Sequence, residues 1–423
     1  MQTLCNPPEW VVLEHQVADL LQRQEENGWY FDEGAARELT STLSRELEET
    51  SRLLRRKHPY VFGSEFVPKR NNKTQGYVEG CAFTKLKEFS PSSRDHISWI
   101  LTTFYKWTPT QLTATGKAII DEPTLSKIDN DFARGCLTIL DLTKKLGMLA
   151  EGQNAWLKLV TKSKRIHHHC SVATSTHRAA HRNPNLAQVP SDLSFRALFT
   201  AAPGLQMVGA DLSGIELRML AHYLHRYDDG RYTDILLNDD IHQVNADKIG
   251  ISRRQVKTVQ YAMLYGAGDE KIGSTFDESL STNKKKRKGK EIREAFIEAI
   301  PGYGQLLEAV KKASAKGFIK AIDGRSIPVD SPHKALNFLL QSSAAVIAKR
   351  WLYINHLHTK ELKLCCSQLA FIHDEIQFEC APEHTKDLST SLVLSAQEAG
   401  EYYRTRCPIS AEAQVGKNWA EVH

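Results

Sequence analysis

No stretch of the 423-residue sequence approaches the ~20 consecutive apolar residues that a membrane-spanning helix needs. No membrane partner is expected. The N-terminus lacks the basic start and apolar stretch of a secretory signal. The eight cysteines, Cys5, Cys81, Cys136, Cys170, Cys365, Cys366, Cys380 and Cys407, contain no C-x-x-C pair and are irregularly spaced. That argues against a disulfide frame or a zinc knuckle and for free thiols in a reducing, cytoplasmic compartment. No internal repeat is visible. Charge of either sign is barely in excess: 55 basic residues stand against 50 acidic ones, a net of +5. So mild a balance neither requires nor excludes a nucleic-acid partner, since a basic stripe hides easily in a near-neutral total.

What remains is an ordinary globular composition, 41% apolar and 25% charged, in a chain long enough for two to three domains. Residues 10–56 read as helix, with Leu13, Val17, Leu20 and Leu21 at helical spacing, a break at Asn27-Gly28, and Asp32 capping a second helix. Residues 57–93, rich in Pro and Gly around Lys69, Arg70 and Lys73, read as an exposed basic loop. Helical patterns resume from about 93 to 160. A short buried strand follows at Gln206-Met207-Val208-Gly209-Ala210, then a helix from Gly214 to about Tyr223. Residues 240–320 read as mostly helical, interrupted at 281–290. The last hundred residues combine a helix at about 336–357 with a strand pair around His373-Asp374. The pattern is that of an α+β domain with a helical insertion.

Three constellations carry chemistry. In the first, an apolar strand ends at Asp211 and a helix bearing Glu216 starts directly after it. A carboxylate at a strand end suits a hard cation, although it also suits a helix cap. In the second, Arg253, Lys257, Tyr261 and Tyr265 recur every four residues. Each step advances ~400° and ~6 Å, so the four form one slowly drifting stripe, cationic at one end and aromatic at the other. Such a stripe fits a nucleotide, cations to phosphates and aromatics to sugar and base, or simply an amphipathic helix with core tyrosines. In the third, two apolar strands flank His373-Asp374, with Ile376, Phe378 and Cys380 alternating against Glu375, Gln377 and Glu379. A hairpin tip that brings Asp374 beside Asp211 makes a two-carboxylate site that a cation must neutralise, and two Mg²⁺ ions so held suit in-line phosphoryl transfer.

In this order the three segments resemble the motifs of family A DNA polymerases, the DNA polymerase I superfamily, and within it the replicative polymerases of T-seven-type podophages. Asn185-Leu186-Ala187-Gln188, Leu264-Tyr265-Gly266-Ala267-Gly268-Asp269-Glu270-Lys271-Ile272-Gly273, Ser331-Pro332-His333 and Gly416-Lys417-Asn418-Trp419 extend the resemblance from about residue 14 to the C-terminus. It implies a right-hand α+β fold with an antiparallel palm sheet and helical fingers and thumb: thumb 1–160 with its basic loop at 64–90, palm 161–225 and 331–423, fingers 226–330. It implies primer extension with dNTPs on primer-template DNA, with two Mg²⁺ ions on Asp211 and Asp374 and Glu375 in support. Arg253, Lys257 and His242 match triphosphate contacts, Lys257 also being a candidate acid for the leaving group. Glu216 matches the residue that crowds the sugar 2′ position, Tyr261 the neighbour of the 3′ position, and Tyr265 the aromatic at the templating site. Arg178, Asn337, Gln341 and His373 match residues that touch minor-groove acceptors near the primer terminus. A single-subunit RNA polymerase and a catalytically silent DNA-binding replication factor are the alternatives.

The sequence departs from the family in two places. Thr176-His177-Arg178 stands where Thr-Gly-Arg is usual, which leaves the pose of Arg178 open. The family's upstream 3′→5′ exonuclease has no counterpart, so proofreading is expected either from a separate polypeptide or not at all. The stretch at 64–90 is too short for the thioredoxin-recruiting insertion of the T-seven branch. His167-His168-His169-Cys170 is expected to bind no metal, because neighbours in a strand face opposite ways. Lys284–Lys290 reads as a solvated charge run or a grip on single-stranded template.

Overall fold

A computed structural model of the chain describes residues 7–172, 174–278 and 280–423; Cys5 lies outside the described residues. The other seven cysteines are free thiols. The chain divides into two compact units, one formed by residues through Phe31 together with Thr161–His423, the other by Asp32–Val160.

The smaller unit opens with helix Glu33–Lys57, whose N-cap Asp32 accepts the Ala35 N–H. The stretch read as a basic loop is a β-hairpin: Tyr60–Phe66 pairs antiparallel with Phe83–Glu88. Its ladder satisfies backbone groups that a loop would leave to water. Of the two strands only Val61 is fully buried, so the hairpin is exposed as expected, and Lys69, Arg70 and Lys73 lie exposed in the connection between the strands. Aromatics hold it together: Tyr77 and Phe83 lie 4.8 Å apart and Phe66 packs edge-on against both. Helix is less continuous than the pattern suggests between 93 and 160, with Arg94–Phe104 and Asp131–Leu146 as its main pieces.

At the centre of the larger unit is a four-stranded antiparallel sheet. Its order is Cys366–Ile372, Glu375–Cys380, Gln206–Leu212, Ala411–Gly416. Helix Thr385–Tyr402 packs on the last two strands and on the long helix Ala335–Glu361, where the Trp351 indole N–H donates to the Leu392 carbonyl at 2.8 Å. The other face is closed by an aromatic cluster in which Trp29 and Phe199 pack on Trp419. Helix Glu9–Asn27 also belongs here by packing: Gln16 donates to the Tyr353 hydroxyl and Asn27 to the Gln368 carbonyl. The 32–160 unit therefore begins only after Phe31.

Covering both faces has a consequence that alternation did not foretell. Every residue of Glu375–Cys380 is buried, including Glu375, Gln377 and Glu379, so the polar face is an internal hydrogen-bonding surface. Arg165 and the Ala202 N–H satisfy Glu379 there.

The interruption expected at 281–290 is absent. Helix Thr282–Ala299 runs straight through the lysine run and packs on helix Asp269–Phe276. The contact is so close that a Cβ on Gly273 would lie 1.9 Å from the Lys285 carbonyl oxygen, and one on Gly289 would lie 1.8 Å from that of Asp269. Only glycine admits that approach, and two glycines on opposing helices supply it. Intrahelical pairs such as Lys288 with Glu291 take up part of the charge.

Candidate active site

The sheet register builds the acidic half of the site. Asp211 pairs across to Glu375, and the Leu212 N–H donates to the Asp374 carbonyl at 2.9 Å, so the end of one strand meets the tip of the hairpin. The tip is two residues, His373 and Asp374, and His373 adopts a left-handed φ of +62° to close it. Asp211 is open to solvent on one side. Even so, partial burial first, then the Asp374 and Glu375 carboxylates, push its carboxyl up to about 7. Burial likewise raises Asp374, with the Arg178 guanidinium pulling the other way. Neither aspartate has an ion-pair partner among the described residues. Two hard oxygen donors, mutually repelling and open to solvent, fit a divalent cation better than they fit protein cations.

Glu375 is a different kind of carboxylate. Trp419 Nε1 and Gln377 Nε2 both donate to its Oε1, and His423 Nδ1 lies 3.1 Å from its Oε2. With its lone pairs so engaged it steadies the end of the sheet. Trp419 and His423 are contributors that motif reading did not name as site residues. The signal for Trp419 was present in Gly416-Lys417-Asn418-Trp419; His423 carried none.

Helix Ile215–Asp228 starts one turn after Asp211 and buries Glu216 in its first turn. One Glu216 oxygen accepts from Arg178 and the other from the Tyr265 hydroxyl at 2.8 Å. Arg178 reaches it from a turn in which His177 takes a left-handed φ of +60° and donates its N–H to the Thr174 carbonyl. The backbone thus keeps the conformation that glycine favours, and Arg178 reaches Glu216 from it.

The cationic stripe forms as the spacing requires. Helix Arg253–Leu264 is started by a capping box between Ser252 and Gln255, and it ends at Tyr265 before Gly266 at φ +71°. Tyr261 and Tyr265 stack with centroids 6.4 Å apart. Lys257 is exposed, whereas Arg253 is held by Asp240 at 2.6 Å. His242 lies beside Tyr261, its ring 6.2 Å away. Buried Gln260 donates to the Tyr232 hydroxyl, so its oxygen faces His242 Nδ1 at 2.9 Å and that nitrogen carries the proton. Burial lowers His242, leaving a neutral ring with Nε2 free.

Asp211, Asp374, Glu375, Arg178, Glu216, Tyr265, Tyr261 and His242 therefore form one connected neighbourhood. Asn337 and Gln341 stand one turn apart on the long helix, outside this hydrogen-bond network. Asn337 lines a cavity of about 400 Å³ with Met263, Gly266 and His333, next to the Tyr265 end of the stripe. His373 is pushed down to about 4 by burial and Arg178. The histidine run gathers no metal set: among the described residues no group of three metal-ligating side chains converges, and His167 and His169 bond through Nδ1 to the Glu25 carbonyl and carboxylate.

The family profile described as DNA polymerase family A matches residues 68–421. The DNA-directed DNA polymerase of Enterobacteria phage T3 is 34% identical over 98% of this chain and 70% of its own length. That of Escherichia phage T7 is 33% identical over the same shares. Among solved structures, the POL domain of Pol1 from M. smegmatis, in complex with DNA primer-template and dNTP, superposes with a TM-score of 0.77 at 21% identity, covering 97% of this chain and 70% of that one.

Proposed function

The chain belongs to DNA polymerase family A and is a template-directed DNA polymerase; on that premise we propose that Asp211 and Asp374 hold two Mg²⁺ ions at the end of the central sheet and that the surrounding residues bind primer terminus and dNTP. The observation that carries the assignment is the register that sets Asp211 against the Asp374-Glu375 tip. Bound there, the ions would supply Lewis-acid charge to the primer 3′-hydroxyl and to the departing pyrophosphate.

The protein groups do the rest. Lys257 and Arg253 present positive charge to the triphosphate, and Lys257, exposed and in no ion pair among the described residues, donates a proton to the leaving group. His242 presents Nε2 to a phosphate, donating once it is protonated there. Glu216, clamped between Arg178 and Tyr265, forms the wall at the sugar 2′ position, and Tyr261 the wall at the 3′ position. Tyr265 stands at the templating base. Arg178, His373, Asn337 and Gln341 probe minor-groove acceptors, which every correct pair presents, and so test pair shape without reading sequence. Glu375 supports the sheet end.

In the same reading the 32–160 unit serves as the thumb, the sheet and its helices as the palm, and the helices between 226 and 330 as the fingers. In this reading the Tyr60–Phe66 and Phe83–Glu88 hairpin takes the place of a longer insertion, and no thioredoxin clamp is proposed. The setting proposed is the cytoplasm of a phage-infected cell; among the described residues no helix is long and apolar enough to cross a membrane. The RNA polymerase and silent-binder readings are not favoured, since the named relatives are DNA-directed DNA polymerases.

Primer extension by the purified chain tests the reading. Extension with dNTPs and Mg²⁺, arrest by chelator and poor use of rNTPs are expected. Preference for rNTPs, or extension that survives chelation, would overturn the metal and sugar assignments.

A further inference from the structure

The long helix Ala335–Glu361 carries Asn337 and Gln341 toward the proposed primer side. Leu339 is two residues from each, hence ~200° around the helix, on the opposite side. There it forms part of a cavity of about 420 Å³ that shares no residue with the polymerase site. The floor is apolar, built from Leu306, Val310 and Ile319 together with Leu339, and the tyrosines Tyr223 and Tyr227 stand beside it. Tyr223 has its hydroxyl tied to Ser343 at 2.7 Å, which fixes the ring as a flat wall.

The mouth is of opposite character. Arg226, Lys320, Arg404 and Arg406 line it, all four are exposed, and none makes an ion pair among the described residues. His222, also in the lining, reports the same field from within. Burial, then Arg406, His225 and Arg226, push its ring down to about 4, and no carboxylate acts on it in the other direction. The ring is neutral, and its Nδ1 accepts the Arg406 N–H at 3.0 Å, so Nε2 carries the proton and is a further donor.

An apolar floor with aromatic walls under four unneutralised cations is poorly suited to a bare anion, which gains nothing from the floor, or to a neutral apolar ligand, which gains nothing from the rim. The volume lies in the range of small-molecule sites. The geometry points to a second nucleotide pocket: a nucleobase rests against the tyrosines and the apolar floor, and phosphates meet the arginines and Lys320. Four cations exceed what one phosphate requires. The occupant is therefore either a free nucleoside polyphosphate or one nucleotide of a single strand whose successive phosphates cross the rim. The inference is independent of the metal assignment.

The test uses the full chain without divalent metal and two probes, radiolabelled dATP and a fluorescein-labelled dodecamer of thymidylate. Two variants attack the pocket separately: the double charge reversal Arg404→Glu with Arg406→Glu, and Ala309→Phe, which fills the cavity from an exposed lining position and leaves the charge unchanged. Thermal melting at the wild-type temperature establishes that each is folded. Both variants are expected to weaken the same probe by about tenfold or more. The single-turnover extension rate on a short primer-template should be unchanged. Loss confined to dATP identifies a free nucleotide as occupant; loss confined to the dodecamer identifies a strand. Wild-type affinity for both probes in both variants overturns the proposal. So does a loss seen only on charge reversal with inorganic tripolyphosphate displacing either probe as well as dATP does, because the rim is then only a cationic surface.

Discussion

The acidic and the cationic halves of the site are built on opposite terms. The aspartates sit at the end of a sheet whose Glu375–Cys380 strand is buried throughout, in a register where a one-residue slip would turn every side chain over. They are crowded by like charge, and although Arg178 acts on Asp374 from a distance, neither forms an ion pair among the described residues. Lys257 and Arg253 sit instead on the exposed face of one helix, where Arg253 pairs with Asp240 and Lys257 has no ion-pair partner among the described residues. In the proposed roles the contrast is sensible: a group that holds a cation through every cycle benefits from rigid placement, since positioning is supplied in advance. Groups that must receive and then release a triphosphate need only be close and charged. Glu216 joins the halves, since Arg178 on the sheet side and Tyr265 at the end of the stripe both bond to it.

Breaking the rigid half should have the largest effect. Asp374→Ala or Asp211→Ala is expected to lower single-turnover extension on the order of 10³-fold or more, while primer-template affinity changes little, because binding rests on many phosphate contacts. Near-normal turnover in either variant would remove the carboxylates from the chemistry. Lys257→Ala should cost on the order of 10²-fold in the same assay with weaker dNTP affinity, a smaller loss because one cation among several is removed from developing charge. An unchanged single-turnover rate would show that the stripe does not face the triphosphate.

Subtler changes sharpen the comparison where the halves meet. Tyr261→Phe should leave dNTP use intact but raise discrimination against dideoxynucleotides by roughly ten- to a hundredfold. In the proposed placement the phenolic oxygen otherwise fills the polar place of the missing 3′-hydroxyl, and an unsatisfied buried polar group costs about 1–3 kcal/mol. Competition between ddNTP and dNTP read on a gel checks it, equal termination by both enzymes being the contrary result. Glu216→Ala removes the proposed wall at the 2′ position and frees both Arg178 and Tyr265; incorporation of rNTPs should rise about tenfold relative to dNTPs. Asp240→Asn keeps the cap that Asp240 gives His242 and Gln243 but releases Arg253 from its exposed ion pair. Its KM for dNTP should move by no more than about twofold, since such pairs contribute little in water. A change approaching that of Lys257→Ala would mean that Arg253 depends on the pair for its position.

Two hairpins show how much of this was legible. The strands flanking His373-Asp374 and the basic stretch at 57–93 were read from local pattern alone. The first was identified as a hairpin because two apolar runs are separated by two polar residues. The second was read as a loop because Pro and Gly obscure two short strands whose ladder contains an irregularity between Phe62 and Glu65. Burial is a separate matter that local pattern does not state. Glu375, Gln377 and Glu379 alternate like a solvent face, yet all are inside, since the aromatic cluster around Trp419 covers them. Alternation states which residues share a face but not what lies against it. The lysine run shows the same limit. Its composition argues for a break, but Gly273 and Gly289 allow two helices to lock together, and that contact carries the helix through.

Local pattern is enough to specify the stripe Arg253–Tyr265, the strand that carries Asp211 near its end, the acidic hairpin tip and the family to which they belong, because each is a short-range pattern of period two or near four. Only the tertiary structure decided that Asp211 faces Glu375 across the sheet, that Trp419 and His423 hold that glutamate, that Glu216 is shared between Arg178 and Tyr265, and that four cations gather around a cavity behind the long helix. Those contacts join residues far apart in the chain. They depend on sheet register and helix packing, which no local spacing encodes.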